Sequence, residues 1–320
     1  MKKLIPLIAL ILLLAACGNP AGETQTEDDS KLQVKTTVYP LTYFTERIGG
    51  DRVAVESVYP AGSNEHSFEP TQQDMIALAE ADLMFYIGLG LEGFIDSAKK
   101  TLSNENVEFV ATADSITDEE LEAASHSEEE HSEEGHAEEG HDGHNHGSTD
   151  PHVWMSPVLS QNLAESIKDS LIKADPKGSE TYESNYTKLI AELEALDQSF
   201  ADLSERVENN TFFVSHSAFG YIAEPYGFNQ VAVAGLNSQD EPSQKELTKI
   251  VDLAKEKNIQ HIIFEQNVSS NLTEVIQKEV GAEAVQMHNL GVLTQENIDN
   301  GETYFTLMEK NLQTLETVLK

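Results

Sequence analysis

Six of the eleven histidines fall within 21 residues, at His126, His131, His136, His141, His144 and His146, with Glu, Gly and Asp as the main spacers. Imidazole is the commonest protein ligand for zinc-like ions, so a run of this density points to a borderline transition metal. The run offers only Ala137 for burial, so it is expected to be a mobile loop. A flexible chain loses entropy when it orders around an ion, which weakens each bound ion. The six histidines are therefore read as accessory, weak metal ligands that raise the local metal concentration. A solvated acidic linker is the plainer reading of the same residues.

Five histidines lie elsewhere: His66, His152, His216, His261 and His288. His66 sits in the turn-rich segment Pro60-Ala-Gly-Ser-Asn-Glu-His66-Ser-Phe-Glu-Pro70, after an expected strand. His152 sits in Asp150-Pro-His152-Val-Trp-Met-Ser-Pro157, just before an expected helix, and His216 ends the apolar run Phe212-Phe-Val-Ser-His216. Ligands of parallel α/β sheets collect beyond the carboxyl ends of strands, which is where His66 and His216 stand. Three imidazoles meeting between two lobes would suit zinc, although each is also readable as an ordinary surface histidine. His261 opens an apolar strand and reads as a packing or surface residue. His288 follows an apolar strand and reads as a structural histidine or as a further ligand.

The elements that must position these residues follow from periodicity. Leu32–Tyr39, Val53–Tyr59, Leu83–Ile87 and Val107–Ala111 read as strands, with helices to about Ile48, over Gln72–Ala79 and to about Leu102. Phe212–Ser215, Val231–Ala234, Ile259–Phe264 and Ala284–Met287 form a second set, with helices over Ser243–Lys257 and from about Tyr304. Short strands separated by helices indicate parallel sheets covered on both faces. Between the two sets, Tyr182, Tyr186, Leu189, Leu193, Leu196, Phe200, Leu203 and Val207 step by four and three, with no Gly or Pro between Gly178 and Gly220. That predicts one long helix of roughly 40 Å. A dimeric coiled coil is the alternative; a single spine helix packed against both lobes is preferred, because the repeat lasts under four heptads.

The fold class expected is thus α/β: two lobes, each a parallel sheet flanked by helices, joined by a spine helix. The boundaries expected are 32–178 for the first lobe, with an acidic loop at 118–148, then 179–208 for the spine and 209–320 for the second lobe. The 320 residues suffice for two cores, and 39% are apolar. The net charge is −36, with 43 acids against 20 bases even after the thirteen between Asp118 and Asp150 are set aside. Nucleic acid and an anionic membrane surface are excluded as main ligands.

The amino terminus is a secretory signal. Lys2 and Lys3 precede an apolar stretch, Leu4 to Leu14, too short to span a bilayer. It ends Leu14-Ala-Ala-Cys17-Gly18, resembling the bacterial lipoprotein box, so residues 1–16 are expected to be removed. Cys17, the only cysteine, would be lipidated, and residues 17–31 are expected to be a flexible tether.

Gly62 to Pro70 around His66, Asp150-Pro-His152-Val-Trp and Val214-Ser-His216-Ser-Ala-Phe-Gly220-Tyr221 resemble the motifs of the metal-binding lipoproteins of bacterial ABC transporters, the cluster A-I solute-binding proteins. Within them the chain is similar to the zinc-specific ZnuA and AdcA type. The resemblance covers essentially the whole mature chain. It implies a monomeric receptor on the extracytoplasmic face of the cell membrane. Such a receptor holds Zn(II) between two lobes, is anchored in the bilayer through Cys17, and delivers the ion to a membrane permease with its cytoplasmic ATPase. It also implies His66, His152 and His216 as ligands.

Manganese-type members resemble a set of two histidines and two carboxylates. Here the third position is His216, and the fourth aligns near Gly291, which has no side chain. Water, Glu65 or His288 would complete the set, with water and Glu65 ranked first. Nitrogen ligands shift preference from Mn towards Zn. Competing readings are a manganese receptor of the same family, a zinc-buffering adhesin-like lipoprotein, and a zinc hydrolase with Glu65 as base. The hydrolase lacks a His-Glu-x-x-His helix and any nucleophile or phosphate motif.

Overall fold

In the computed structural model, residues 31–123, 149–240, 242–268 and 270–320 are described. Cys17 and the six clustered histidines therefore lie outside the described residues. The first sheet is built from β1 (Leu32–Thr36), β2 (Val53–Ser57), β3 (Leu83–Tyr86) and β4 (Glu108–Ala111), interleaved with α1 (Tyr39–Gly49), α2 (Gln72–Ala79) and α3 (Ile95–Thr101). Then come α4 (Asp118–Ala123), α5 (Leu159–Ala174) and α6 (Ser179–Ser204). The second sheet holds β5 (Thr211–His216), β6 (Asn229–Ala234), β7 (His261–Glu265) and β8 (Glu283–Met287). Its helices are α7 (Gly220–Ala223), α8 (Gln244–Glu256), α9 (Asn271–Val280), α10 (Gln295–Asp299) and α11 (Tyr304–Val318).

Both sheets are wholly parallel and share one strand order, β2-β1-β3-β4 and β6-β5-β7-β8. In each, the chain winds outward in both directions from a central pair, β1/β3 or β5/β7. The crevice beyond the carboxyl ends of such a pair is where this class of sheet binds ligands. The central strands β3 and β5 are buried on both faces, as cover by helices on each side demands: all four residues of β3 and all six of β5 are buried.

The 26-residue α6 is about 39 Å long at 1.5 Å per residue. Its buried stripe of Tyr182, Leu189, Leu193, Leu196, Phe200 and Leu203 packs on α1 and α5 from one side and on α11 from the other. The stripe is used within the chain, which is the spine arrangement rather than the coiled coil. One hydrophobic core runs from Val34 through this stripe to Leu319 and so serves both sheets, while a smaller core lies under α8 and α9. Lys31–Lys320 accordingly form one unit of contacts although they carry two sheets. Among the described residues no helix is long and apolar enough to cross a membrane.

Three expectations are corrected by local chemistry. The first strand stops at Thr36 rather than Tyr39, because Pro40 presets the first turn of α1. The acidic loop expected at 118–148 opens with a helical turn, α4. Glu120 accepts hydrogen bonds from the backbone N–H and hydroxyl of Thr117 at 2.8 Å, and Thr117 Oγ1 accepts from Glu120 N, so Thr117-Asp-Glu-Glu120 forms a capping box. The spine ends at Ser204, not 208, where the Ser204 hydroxyl turns back on the Ala201 carbonyl at 2.7 Å.

Candidate metal centre

Three peptide segments deliver one imidazole each to the space between the sheets. His66 lies in the loop after β2. Gly62 turns that loop with φ +74°, a conformation that favours glycine, and its N–H donates to the Leu293 carbonyl of the second sheet's side at 2.9 Å. Asn64 accepts from the His66 N–H at 2.9 Å and donates through Nδ2 to the Ser238 hydroxyl at 2.9 Å. The loop is thus fixed from both sides before its histidine is placed.

His152 precedes a buried 3-10 turn, Val153–Met155. Asp150 Oδ1 accepts from both the His152 N–H, at 2.9 Å, and Nδ1, at 2.7 Å. Asp150 is held in turn by Tyr221 of α7, whose hydroxyl donates to its carbonyl at 2.8 Å. Trp154, fully buried, donates from Nε1 to the Asn289 carbonyl at 2.7 Å, while Tyr304 of α11 donates to the Trp154 carbonyl at 2.9 Å.

His216 is the last residue of β5 and Glu265 the last of β7, the neighbouring strand. Glu265 Oε1 accepts from the Ser215 hydroxyl at 2.6 Å and the His216 N–H at 3.1 Å. Its Oε2 lies 2.7 Å from His216 Nδ1, a close charge contact between two buried groups. Two of the three imidazoles therefore have Nδ1 against a carboxylate, which fixes the ring and leaves Nε2 as the free ligand atom, as in carboxylate–histidine–zinc arrangements.

The three Nε2 atoms converge. His66 to His152 and His152 to His216 are each 3.3 Å apart, and all three atoms lie within 4.8 Å of one another. A tetrahedral zinc ion with Zn–N bonds of about 2.0–2.1 Å separates its nitrogen ligands by about 3.3 Å. The donors thus fit a zinc ion, and among the described residues this is the one group of histidine, cysteine or carboxylate side chains so arranged.

Electrostatics follow from burial. His66 is pushed down to about 3 by burial and then by the neighbouring His152 and His216. Burial also lowers His216, but the Glu265 carboxylate outweighs it and the net shift is upward. Glu265 is conversely held below its usual range: burial raises it, and the charge and contact of His216 bring it down further. Glu65, buried beside His66, is raised by desolvation. Its Oε1 accepts from Asn289 Nδ2 at 2.9 Å, and its Oε2 is buried with no hydrogen-bond partner. Glu65 lies outside the group whose ligand atoms all approach within 4.8 Å.

His288 does not join the cluster. Its Nδ1 accepts from the Leu290 N–H at 2.8 Å and its Nε2 faces Asn297 Oδ1 at 3.2 Å, so both nitrogens are engaged elsewhere. Burial lowers it to about 4. His261 starts β7 at the opposite end of the strand from Glu265. Sequence reasoning missed Glu265 and Asn289, and met Tyr221 only as part of a motif. The available signal for Glu265 was an acid at the carboxyl end of an apolar strand, the same position that singled out His216.

Comparison with known proteins agrees with this geometry. The family ZnuA, zinc-uptake complex component A, periplasmic, matches residues 34–318. The high-affinity zinc uptake system protein ZnuA of Bacillus subtilis strain 168 is 37% identical over 99% of this chain and 97% of its own length. The zinc-binding lipoprotein AdcA of Streptococcus pneumoniae serotype 4 is 36% identical over 99% of this chain, which spans 61% of that longer protein. The crystal structure of the Zn(II)-bound ZnuA-like domain of S. pneumoniae AdcA superposes with a TM-score of 0.70 at 31% identity, covering 91% of this chain and 99% of that one. The family model over residues 34–318 and the full-length identity to the B. subtilis protein together place the chain in the ZnuA family of zinc-uptake components.

Proposed function

We propose that the chain is an extracytoplasmic zinc receptor that takes up Zn(II) through Nε2 of His66, His152 and His216 and hands it to an ABC-type permease with its cytoplasmic ATPase. The observation that carries this reading is the 3.3 Å spacing of the Nε2 atoms, the edge of a tetrahedral zinc site. No bond in a substrate is made or broken, and zinc is cargo. Water or the Glu65 carboxylate completes the set. Nitrogen donors favour zinc over manganese, which takes hard oxygen ligands. The lipoprotein name of the AdcA relative supports lipidation at Cys17 and a membrane-anchored, extracytoplasmic location. Residues 1–16 act as the signal, 17–31 as the tether, and the receptor works as a monomer.

Zinc titration of the His66→Ala/His152→Ala/His216→Ala variant tests the site. Tight binding disappears and only weak sites remain; retention of a tight site overturns the assignment.

The histidine run is proposed as a weak, accessory zinc store. Deleting residues 124–148 lowers the number of zinc ions bound per chain and leaves the tight site's affinity within about twofold. Competitive titration against a zinc chelator reads both quantities, and loss of the tight site on deletion refutes this division of roles.

A further inference from the structure

Gly291 is buried, and a Cβ built on it would lie 2.6 Å from Glu65 Oε1 and 2.7 Å from Glu65 Cδ. No backbone atom is among these close neighbours; the whole obstruction is the Glu65 side chain. The φ of Gly291 is one that other residues adopt, so glycine is needed there for space rather than for backbone freedom. The carboxylate seated over it belongs to the other sheet's side of the cleft, and Asn289 fixes it there. Asn289, itself buried, donates from Nδ2 to Glu65 Oε1 at 2.9 Å and to Glu265 Oε2 at 3.2 Å.

The segment that carries these groups is tightly held. The Asn289 carbonyl accepts from Trp154, the Gly291 carbonyl accepts from the Tyr39 N–H at 2.9 Å, and Gly291 N donates to Asn289 Oδ1 at 3.0 Å. Between them Leu290 is buried with φ +60°, a left-handed conformation that costs a branched side chain on the order of 1 kcal/mol and persists only where surroundings enforce it. The backbone at Gly291 is thus unable to yield, and Glu65 must.

We propose that Gly291 is a specificity-determining residue: its missing side chain is the seat of the Glu65 carboxylate, and any side chain at 291 expels Glu65 from the zinc cleft. The cleft then holds one carboxylate at this place, from position 65 or from position 291, never both. This rests on the three-histidine reading above. It deepens that reading by naming what keeps a carboxyl oxygen beside the imidazoles, and hence what tunes the preference between nitrogen-loving zinc and oxygen-loving manganese.

A double-mutant cycle tests it in the full chain, with Zn(II) and Mn(II) affinities and the melting temperature of the metal-free protein as readouts. Glu65→Ala and Gly291→Ala each lower zinc affinity 10- to 100-fold, the range for groups that support a metal's ligands. The double variant binds no more weakly than Glu65→Ala alone, because the two changes remove the same group. If Gly291→Ala is poorly folded, Glu65→Ala restores its melting temperature, since the obstructing atoms are gone. Gly291→Asp combined with Glu65→Ala returns a carboxylate to the seat, recovers zinc affinity and narrows the zinc-to-manganese ratio. Equal losses from Gly291→Ala with and without Glu65, or no loss in either, overturn the proposal. His216→Ala, run alongside, separates the two levels. If it leaves zinc affinity intact, the three-histidine site itself is wrong. If it abolishes binding while the cycle is additive, only the role of Gly291 fails.

Discussion

His216→Ala lowers zinc affinity by roughly 10²- to 10³-fold, whereas His288→Ala leaves zinc affinity nearly unchanged and lowers the melting temperature of the metal-free protein. Both histidines are buried, at 0% and 4% exposure, and both lie at the carboxyl ends of strands of the second sheet, His216 as the last residue of β5 and His288 just after β8. What separates them is the use of the ring nitrogens. His216 presents Nε2 to two other imidazoles and only its Nδ1 to Glu265. A structural zinc site is worth about 10–16 kcal/mol over four ligands, so one ligand carries on the order of 3–4 kcal/mol.

His288 presents neither nitrogen to the cleft. Removing its ring leaves the Leu290 N–H without a partner and opens a cavity, which together cost about 2–4 kcal/mol of folding stability. Isothermal titration with zinc and thermal unfolding of the metal-free variants check the pair. Equal effects of the two substitutions on zinc affinity would return His288 to the ligand set.

The same contrast shows what the sequence could and could not convey. The strands, the spine and the face on which the site lies were legible, because burial under two helical layers writes continuous apolar runs and a spine writes a 3.6-residue period. The three histidines that converge stood out by where they fall, at the carboxyl ends of strands or beside a turn. Their partners did not. Asp150 was visible only as part of a motif, and Glu265 and Asn289 are 49 and 73 positions from His216 along the chain. Glu265 was marked only as an acid at the carboxyl end of an apolar strand; that it meets His216 follows from the pairing of β5 with β7. The seat at Gly291 was likewise readable only as a missing side chain, since the carboxylate that fills it comes from position 65.

Zinc uptake by the metal-free protein near neutral pH releases a proton from His216, and affinity begins to fall with decreasing pH above the ordinary imidazole value of about 6.5 rather than at it. The sign comes from Glu265. Burial favours neutral His216, but the adjacent carboxylate outweighs it and raises the pKa of the ring above the ordinary imidazole value. The proton facing Glu265 stays on Nδ1 when zinc binds; the one on Nε2 must leave. Each pH unit below the His216 value then costs tenfold in affinity for that proton.

His66 adds nothing in this window, because its pKa is pushed down to about 3 and its nitrogen is already free. Calorimetric titration in buffers of different ionisation enthalpy counts the proton directly. Glu265→Gln removes the charge that outweighs burial, so the onset moves to lower pH and proton release near neutrality shrinks. The affinity plateau at high pH drops 10- to 100-fold, since the ring loses its carboxylate support. An onset identical in wild type and Glu265→Gln would mean that the carboxylate orients His216 without controlling its proton.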